Sequence, residues 1–191
     1  MARDGTATRE RIKTAAMGLF VEKGVTGTST RDIAEAAGVA EGALYRHFEG
    51  KDDLAWSLFH DNYATLADEL TEVCGGAADC RGAIAAMIAR LCVAFDEERP
   101  VFRYLLLARH DHVRRVTPTM KSPIRVVHSV MVRAIEGGEI GVANANLATA
   151  LALGPLLQTA AAIIYDELPA PMADWCGEIT AATLRAVDAR S

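Results

Sequence analysis

Tyr45, Arg46 and His47 follow a Gly42-Ala43-Leu44 step, and this short run carries the chemistry of a polyanion contact. A phenol and an imidazole donate to phosphate oxygens, and a guanidinium fork matches the O6 and N7 acceptors of guanine. Gly42 and Ala43 leave the start of their helix bare, so backbone N–H groups and the helix dipole can approach a phosphate or base edge. Each side chain also has a plainer reading. Packing against the fold is the weaker reading for Tyr45 and His47, Arg31 would equally pair with Asp32 or Glu35, and Lys51 taken alone is a solvated lysine that only its place after Gly50 makes more.

These residues lie in TSTRDIAEAAGVAEGALYRHFEGKDDL, Thr28 to Leu54. Thr28 and Ser29 are N-cap types opening a short helix with Ile33, Ala34 and Ala37 inward, which Gly38 ends. A third helix is expected over Glu41 to Phe48, with Leu44 and Phe48 inward. Two short helices across a tight Gly-containing turn form a helix-turn-helix pattern. Ahead of them, Ile12, Ala15, Ala16, Leu19 and Phe20 recur at helical spacing and predict a helix from about Thr8 to Lys23, stopped by Gly24.

The first fifty or so residues resemble the DNA-binding head of the TetR/AcrR family of bacterial transcriptional regulators. The likeness rests on Thr8-Arg9-Glu10-Arg11-Ile12, Ala15-Ala16, Leu19-Phe20, Gly24, Thr28-Ser29, Ile33-Ala34, Ala37-Gly38-Val39, Gly42, Leu44-Tyr45, His47-Phe48 and Lys51. The resemblance implies phosphate contacts by Ser29 or Thr30, Tyr45, His47 and Lys51. It implies that Arg31, Gly42, Ala43 and Arg46 meet bases or nearby backbone. Glu41 sits awkwardly among phosphates unless it accepts from a cytosine N4, so it bears on sequence preference.

Beyond the head, helical spacing continues with no strand-like alternation, repeat or low-complexity tract. Helices are expected from Lys51 to about Val73, Arg81 to Glu97, Val101 to Ala108, Ile124 to Glu136, Asn144 to Tyr165 and Met172 to Val187. The expected fold is all-α, about nine helices, with a DNA-binding domain over 1–50 and a ligand-binding and dimerisation body over 51–191. The long helix at Lys51 would join the two, and Pro155 would kink the helix before the last.

Charge follows the same division. Met1 to Lys51 balance at +1, whereas Asp52 to Ser191 balance at −6, for a net −5 overall. The whole chain is therefore no charge-driven coat for nucleic acid, while its head can still face a polyanion. Ile140 to Tyr165 holds 26 residues without a formal charge. It carries Asn144, Asn146, Gln158 and Gly154-Pro155, and its flanks are acidic, so it reads as a buried helix with no membrane role.

An apolar helix in an acidic protein needs a partner, and a second copy supplies one. Leu147, Leu151 and Leu157, with Met172, Trp175, Ile179 and Ala182 of the last helix, are the expected homodimer interface. Two heads must also reach successive major grooves about 34–36 Å apart. For a small lipophilic effector the candidates are Phe59, Tyr63, Met87, Leu91, Phe95, Phe102, Leu105, Val127 and Met131. For any single one of them ordinary core is the stronger reading, and it is the set together that suggests a lipophilic effector.

Signals for other chemistry are weak. His110 and His112 are two apart and point to different faces of a helix, so no metal is expected. Cys74, Cys80, Cys92 and Cys176 show no zinc-type spacing, although Cys74 and Cys80 flank Gly75-Gly76 and could act as a redox pair. No phosphate loop, nucleophile elbow or spaced carboxylate pair is present, so neither an enzyme nor a cofactor is expected. With no signal peptide at the start, the cytoplasm is the expected compartment. The reading is a homodimeric repressor released from operator DNA by its effector. The alternative is a ligand-sequestering protein with a vestigial head.

Overall fold

The computed structural model describes residues 2–112 and 115–188, with the side chains of 2–4, 107–111 and 188 outside that set. The chain belongs to the all-α class. The described residues form α1 (Ala2–Lys23), α2 (Thr30–Ala37), α3 (Glu41–Leu44), α4 (Lys51–Gly75), α5 (Cys80–Glu97), α6 (Arg99–His112), α7 (Pro123–Glu136), α8 (Ala145–Ile164) and α9 (Cys176–Asp188).

Local chemistry sets most of these limits. Ser29 caps α2 in a reciprocal box with Asp32, and Gly38 closes it at φ 63°, where side chains other than glycine are strained. Asp79 and Asn144 cap α5 and α8 through Gly82 N–H and Leu147 N–H. α1 begins at Ala2, well ahead of the expected Thr8, and three further segments depart from the spacing. α3 stops at Leu44 rather than Phe48, and Tyr45 to His47 continue as turn. α6 begins at Arg99, because Pro100 in a first turn costs no hydrogen bond. The last helix is divided into a 3₁₀ turn, Met172–Trp175, and α9, since Asp96 takes the N–H groups of Met172 and Ala173 at 2.8 and 2.9 Å.

The chain divides into two compact units, 1–62 with 100–116 and 63–99 with 117–191. The first unit takes in the start of α4 and most of α6 as well as the three-helix head. Its core joins Ile12, Ala16 and Phe20 of α1 to Ile33, Ala34, Leu44, Phe48, Leu54 and Leu58, all buried. Tyr104 of α6 is part of it, donating to the Ala55 carbonyl at 2.6 Å and stacking at 6.2 Å from Phe20.

In the second unit α8 packs against α7 and α9, and α9 against α5. Ala148, Ala152, Leu156, Ala160 and Ile163 form the buried stripe of α8, and small residues let its neighbours approach closely. The opposite face of α8 is exposed and largely apolar, with Gln158 as a polar residue on it. Leu147 is 53% exposed and Tyr165 63%, with Ala150 and Gly154 open between them. α8 is long and apolar enough to cross a membrane by length and composition alone, but caps and buried small residues suit it to a core.

Candidate nucleic-acid interface

The helix-turn-helix is held by cations that grip backbone carbonyls. Lys51, at the start of α4, donates to the carbonyls of Val25, Thr26 and Thr28 at 2.9, 3.3 and 3.0 Å, which accounts for all three ammonium protons. Arg11 Nη2 donates to Ala37 and Gly38 carbonyls at 2.6 and 2.9 Å, satisfying the end of α2. Arg9 lies 4.9 Å from the centre of the Phe48 ring and donates to Ser57 Oγ at 3.1 Å. Gly27 permits the α1–α2 turn, because a Cβ there would stand 2.4 Å from the Lys23 carbonyl oxygen. Thr28, buried, donates to the Gly24 carbonyl at 2.8 Å and ties the turn to the end of α1.

The outer surface of this frame gathers the polar residues. Thr30 Oγ1 donates to Glu41 Oε1 at 2.8 Å and lies 3.4 Å from the Tyr45 hydroxyl, linking the start of α2 to α3 and the turn after it. Tyr45 is 54% exposed, so it is a surface group and not part of the head's core. Ser29, Arg31, Gly42 and Arg46 are exposed, and Ala43 and His47 half-buried. Arg31 makes no ion pair among the described residues. Asp32 is taken instead by Ser29, whose hydroxyl and backbone N–H hold that carboxyl below its ordinary pKa.

Of the ten sequence-selected residues, Thr30, Glu41 and Tyr45 are drawn into one hydrogen-bonded cluster, while Ser29 and Lys51 have internal partners. Lys51 acts first as a clamp on three carbonyls. α3 has only four residues, so its dipole is small and the polar groups this surface presents are mainly side chains. Sequence reasoning missed the positioning roles of Arg9 and Arg11. The only signal was their place on α1 opposite a helix end in need of cations, and their partners lie 26 or more residues away.

The remaining candidates divide between the units. Phe59 and Phe102 are buried and Leu105 half-buried in the first, whereas Tyr63, Met87, Leu91, Phe95, Val127 and Met131 are buried in the second. Of the interface candidates, Leu147 is exposed and Leu151, Leu157, Trp175 and Ala182 are half-buried. Met172 and Ile179 are buried within the protomer. His112 packs at 5.2 Å from Phe59 and 5.8 Å from Trp56, while the side chain of His110 lies outside the described residues. Cys74 and Cys80 are buried free thiols.

Comparison with known proteins agrees with this geometry. Residues 12–57 match the family model for bacterial regulatory proteins, tetR family. Over 88 residues the chain is 31% identical to the HTH-type transcriptional repressor KstR2 of Rhodococcus jostii (strain RHA1), a match spanning 46% of this chain and 43% of that one. The chain thus matches less than half the length of that relative. Its fold is shared throughout with a TetR family transcription regulator from Marinobacter aquaeolei VT8, at TM-score 0.82, 18% identity and full coverage of both chains. The FadR regulator of Bacillus subtilis, solved in complex with stearoyl-CoA, matches at TM-score 0.77 and 18% identity over 93% of this chain and 98% of that one.

A helix-turn-helix head on a helical body is the architecture that these regulators share with this chain. Residues 12–57 carry the sequence of the tetR family of bacterial regulatory proteins, and the fold of the whole chain is that of solved TetR family regulators.

Proposed function

We propose that the protein is a ligand-responsive transcriptional repressor that binds operator DNA as a homodimer, with residues 1–50 as the DNA-binding domain and 51–191 as the ligand-binding and dimerisation domain. The observation that carries the reading is the exposed set Arg31, Tyr45 and Arg46 on a frame clamped by Lys51 and Arg11, within the segment that matches the family. Phosphate contacts by Thr30, Tyr45 and His47 position the head, and Arg46 and Arg31 read bases or adjoining backbone. Lys51 reaches DNA only by giving up one of its carbonyl partners, so its main part is to hold the turn.

The exposed apolar face of α8 supports the dimer. Leu147, Leu151 and Leu157 are the contacts that remain open on this face, with Trp175 and Ala182 beside them on the following elements. An effector in the body shifts α4, which begins at the clamped Lys51, and so lowers operator affinity. A coupling of about 1–3 kcal/mol, roughly 5–150-fold, suffices. The FadR regulator solved with stearoyl-CoA, whose fold this chain shares, supports an effector with an apolar part, and the repressor KstR2 supports repression. The protein works in the cytoplasm, where its DNA is, and has no catalytic role.

A ligand-sequestering protein with an inactive head is the second reading, and Glu41 at the centre of the exposed cluster is the observation in its favour. A salt-titrated binding assay on selected and scrambled duplexes tests both. Selective binding that weakens steeply with salt supports the repressor, and equal weak binding supports the alternative.

A further inference from the structure

The second unit carries a groove of about 590 Å³ between the last turns of α4 and α7 with its preceding loop. None of the nine apolar effector candidates lines it. The volume falls in the range of small-molecule sites, roughly 300–1,000 Å³. Its walls are of two kinds. Ala67 and Val130 are buried and Val126 half-buried, forming an apolar floor. Around them stand the cations Lys121, Arg125 and Arg133, with the His128 ring among them, against Asp68 as the one carboxylate of the lining. That positive excess occurs in the part of the chain whose overall balance is −6.

Internal partners decide which of the cations is available. Lys121 Nζ meets Asp68 Oδ2 at 2.6 Å, so those two charges largely cancel. Arg125 donates one N–H to the Met120 carbonyl, which anchors it at the mouth of the groove. The side chains of Arg133 and His128 make no hydrogen bond or ion pair among the described residues. Arg133 is exposed, and its fork is free for the paired oxygens of a carboxylate. Arg125, Ser129 and Arg133 stand at i, i+4 and i+8, placing both guanidinia along one side of α7 beside Val126 and Val130.

We propose that this groove binds a small organic acid, its carboxylate held by Arg133 with Arg125 as the second cation, and its apolar body laid along Val126 and Val130. The inference deepens the effector reading, and its regulatory meaning rests on that reading. Binding itself is measured without DNA, so the two can fail separately.

The test is isothermal titration of the full-length protein with octanoate and with octan-1-ol, which share a chain and differ in charge. Octanoate is expected to bind saturably, at least about tenfold tighter than the alcohol. Arg133→Gln is expected to bring octanoate to the level of the alcohol without moving the melting temperature, since the side chain is exposed. Arg133→Lys keeps the charge without the fork and is expected to retain part of the affinity. No saturable octanoate binding, equal affinity for the alcohol, or wild-type affinity in Arg133→Gln would each overturn the proposal. Saturable binding that is lost in Arg133→Gln upholds the site even if DNA affinity does not respond.

Discussion

The hydroxyl of Thr30 donates to the carboxylate of Glu41 at 2.8 Å, so the first residue of α2 and the first residue of α3 are joined on the exposed face of the head. The bond places a negative charge where phosphates are expected and occupies a hydroxyl that would otherwise face them. Glu41→Ala is therefore expected to raise affinity for non-specific duplex by about fivefold at low salt and to flatten discrimination between sequences. Fluorescence anisotropy on scrambled duplexes at two salt concentrations checks this. Unchanged binding would place Glu41 away from the DNA, and weaker binding would show that it orders Thr30 for contact instead of repelling phosphate.

Lys51 offers a separate test of architecture. Replacing it by Met leaves three carbonyls without their charged donor at a half-buried position. Charge-assisted hydrogen bonds are worth about 1.5–3 kcal/mol, so a loss of about 2 kcal/mol is expected in chemical denaturation. A lysine serving only phosphate would show wild-type stability and reduced DNA binding.

The second interface has its own signature. Leu147→Glu puts a charge on the exposed face of α8 and is expected to convert dimer to monomer in sedimentation, with the protomer melt little changed. Ile179→Ala removes a side chain buried inside the protomer and is expected to cost about 2–5 kcal/mol of stability. If Ile179→Ala dissociates the protein and Leu147→Glu does not, the exposed stripe of α8 is not the contact.

Buried thiols set an alkaline limit. Burial pushes Cys80 up to about 11, helped by Glu139 and Asp79, and pushes Cys92 up to about 12, helped by Cys176. Their folded pKa values exceed the unfolded value of 9.0, so the stabilisation is complete below pH 9 and declines as pH rises toward 11–12. Denaturation midpoints are expected to fall over that window in wild type and less steeply in Cys80→Ala. Both thiols are expected to resist alkylation at neutral pH, as read by mass spectrometry.

Much of this was legible in the sequence because it is local. The stripe Ile12, Ala16, Phe20 and the pair Ile33, Ala34 are buried as their spacing predicts, and Gly38 ends its helix in the left-handed region. What escaped depends on partners distant in the chain. Lys51 reads as a surface lysine until Val25, Thr26 and Thr28 turn their carbonyls toward it. Met172 and Ile179 show the spacing of an outward stripe, but Asp96 draws the 3₁₀ turn inward and buries Met172. The early end of α3 has no breaker residue to announce it. The basic groove on α7 is invisible to apolar periodicity, because its cations are scattered among valines that look like ordinary core.

The central claim is that the surface around Arg46 reads duplex DNA. It is tested most directly by isolating the preferred duplex from random sequence with the wild-type protein. Affinity for that duplex and for a scrambled one is then measured against salt for wild type and Arg46→Ala. Selective wild-type binding is expected, with log affinity falling linearly against log salt, and Arg46→Ala is expected to lose about 1–3 kcal/mol on the selected duplex. No enriched sequence, or an Arg46→Ala variant that binds the selected duplex as wild type does, would contradict it.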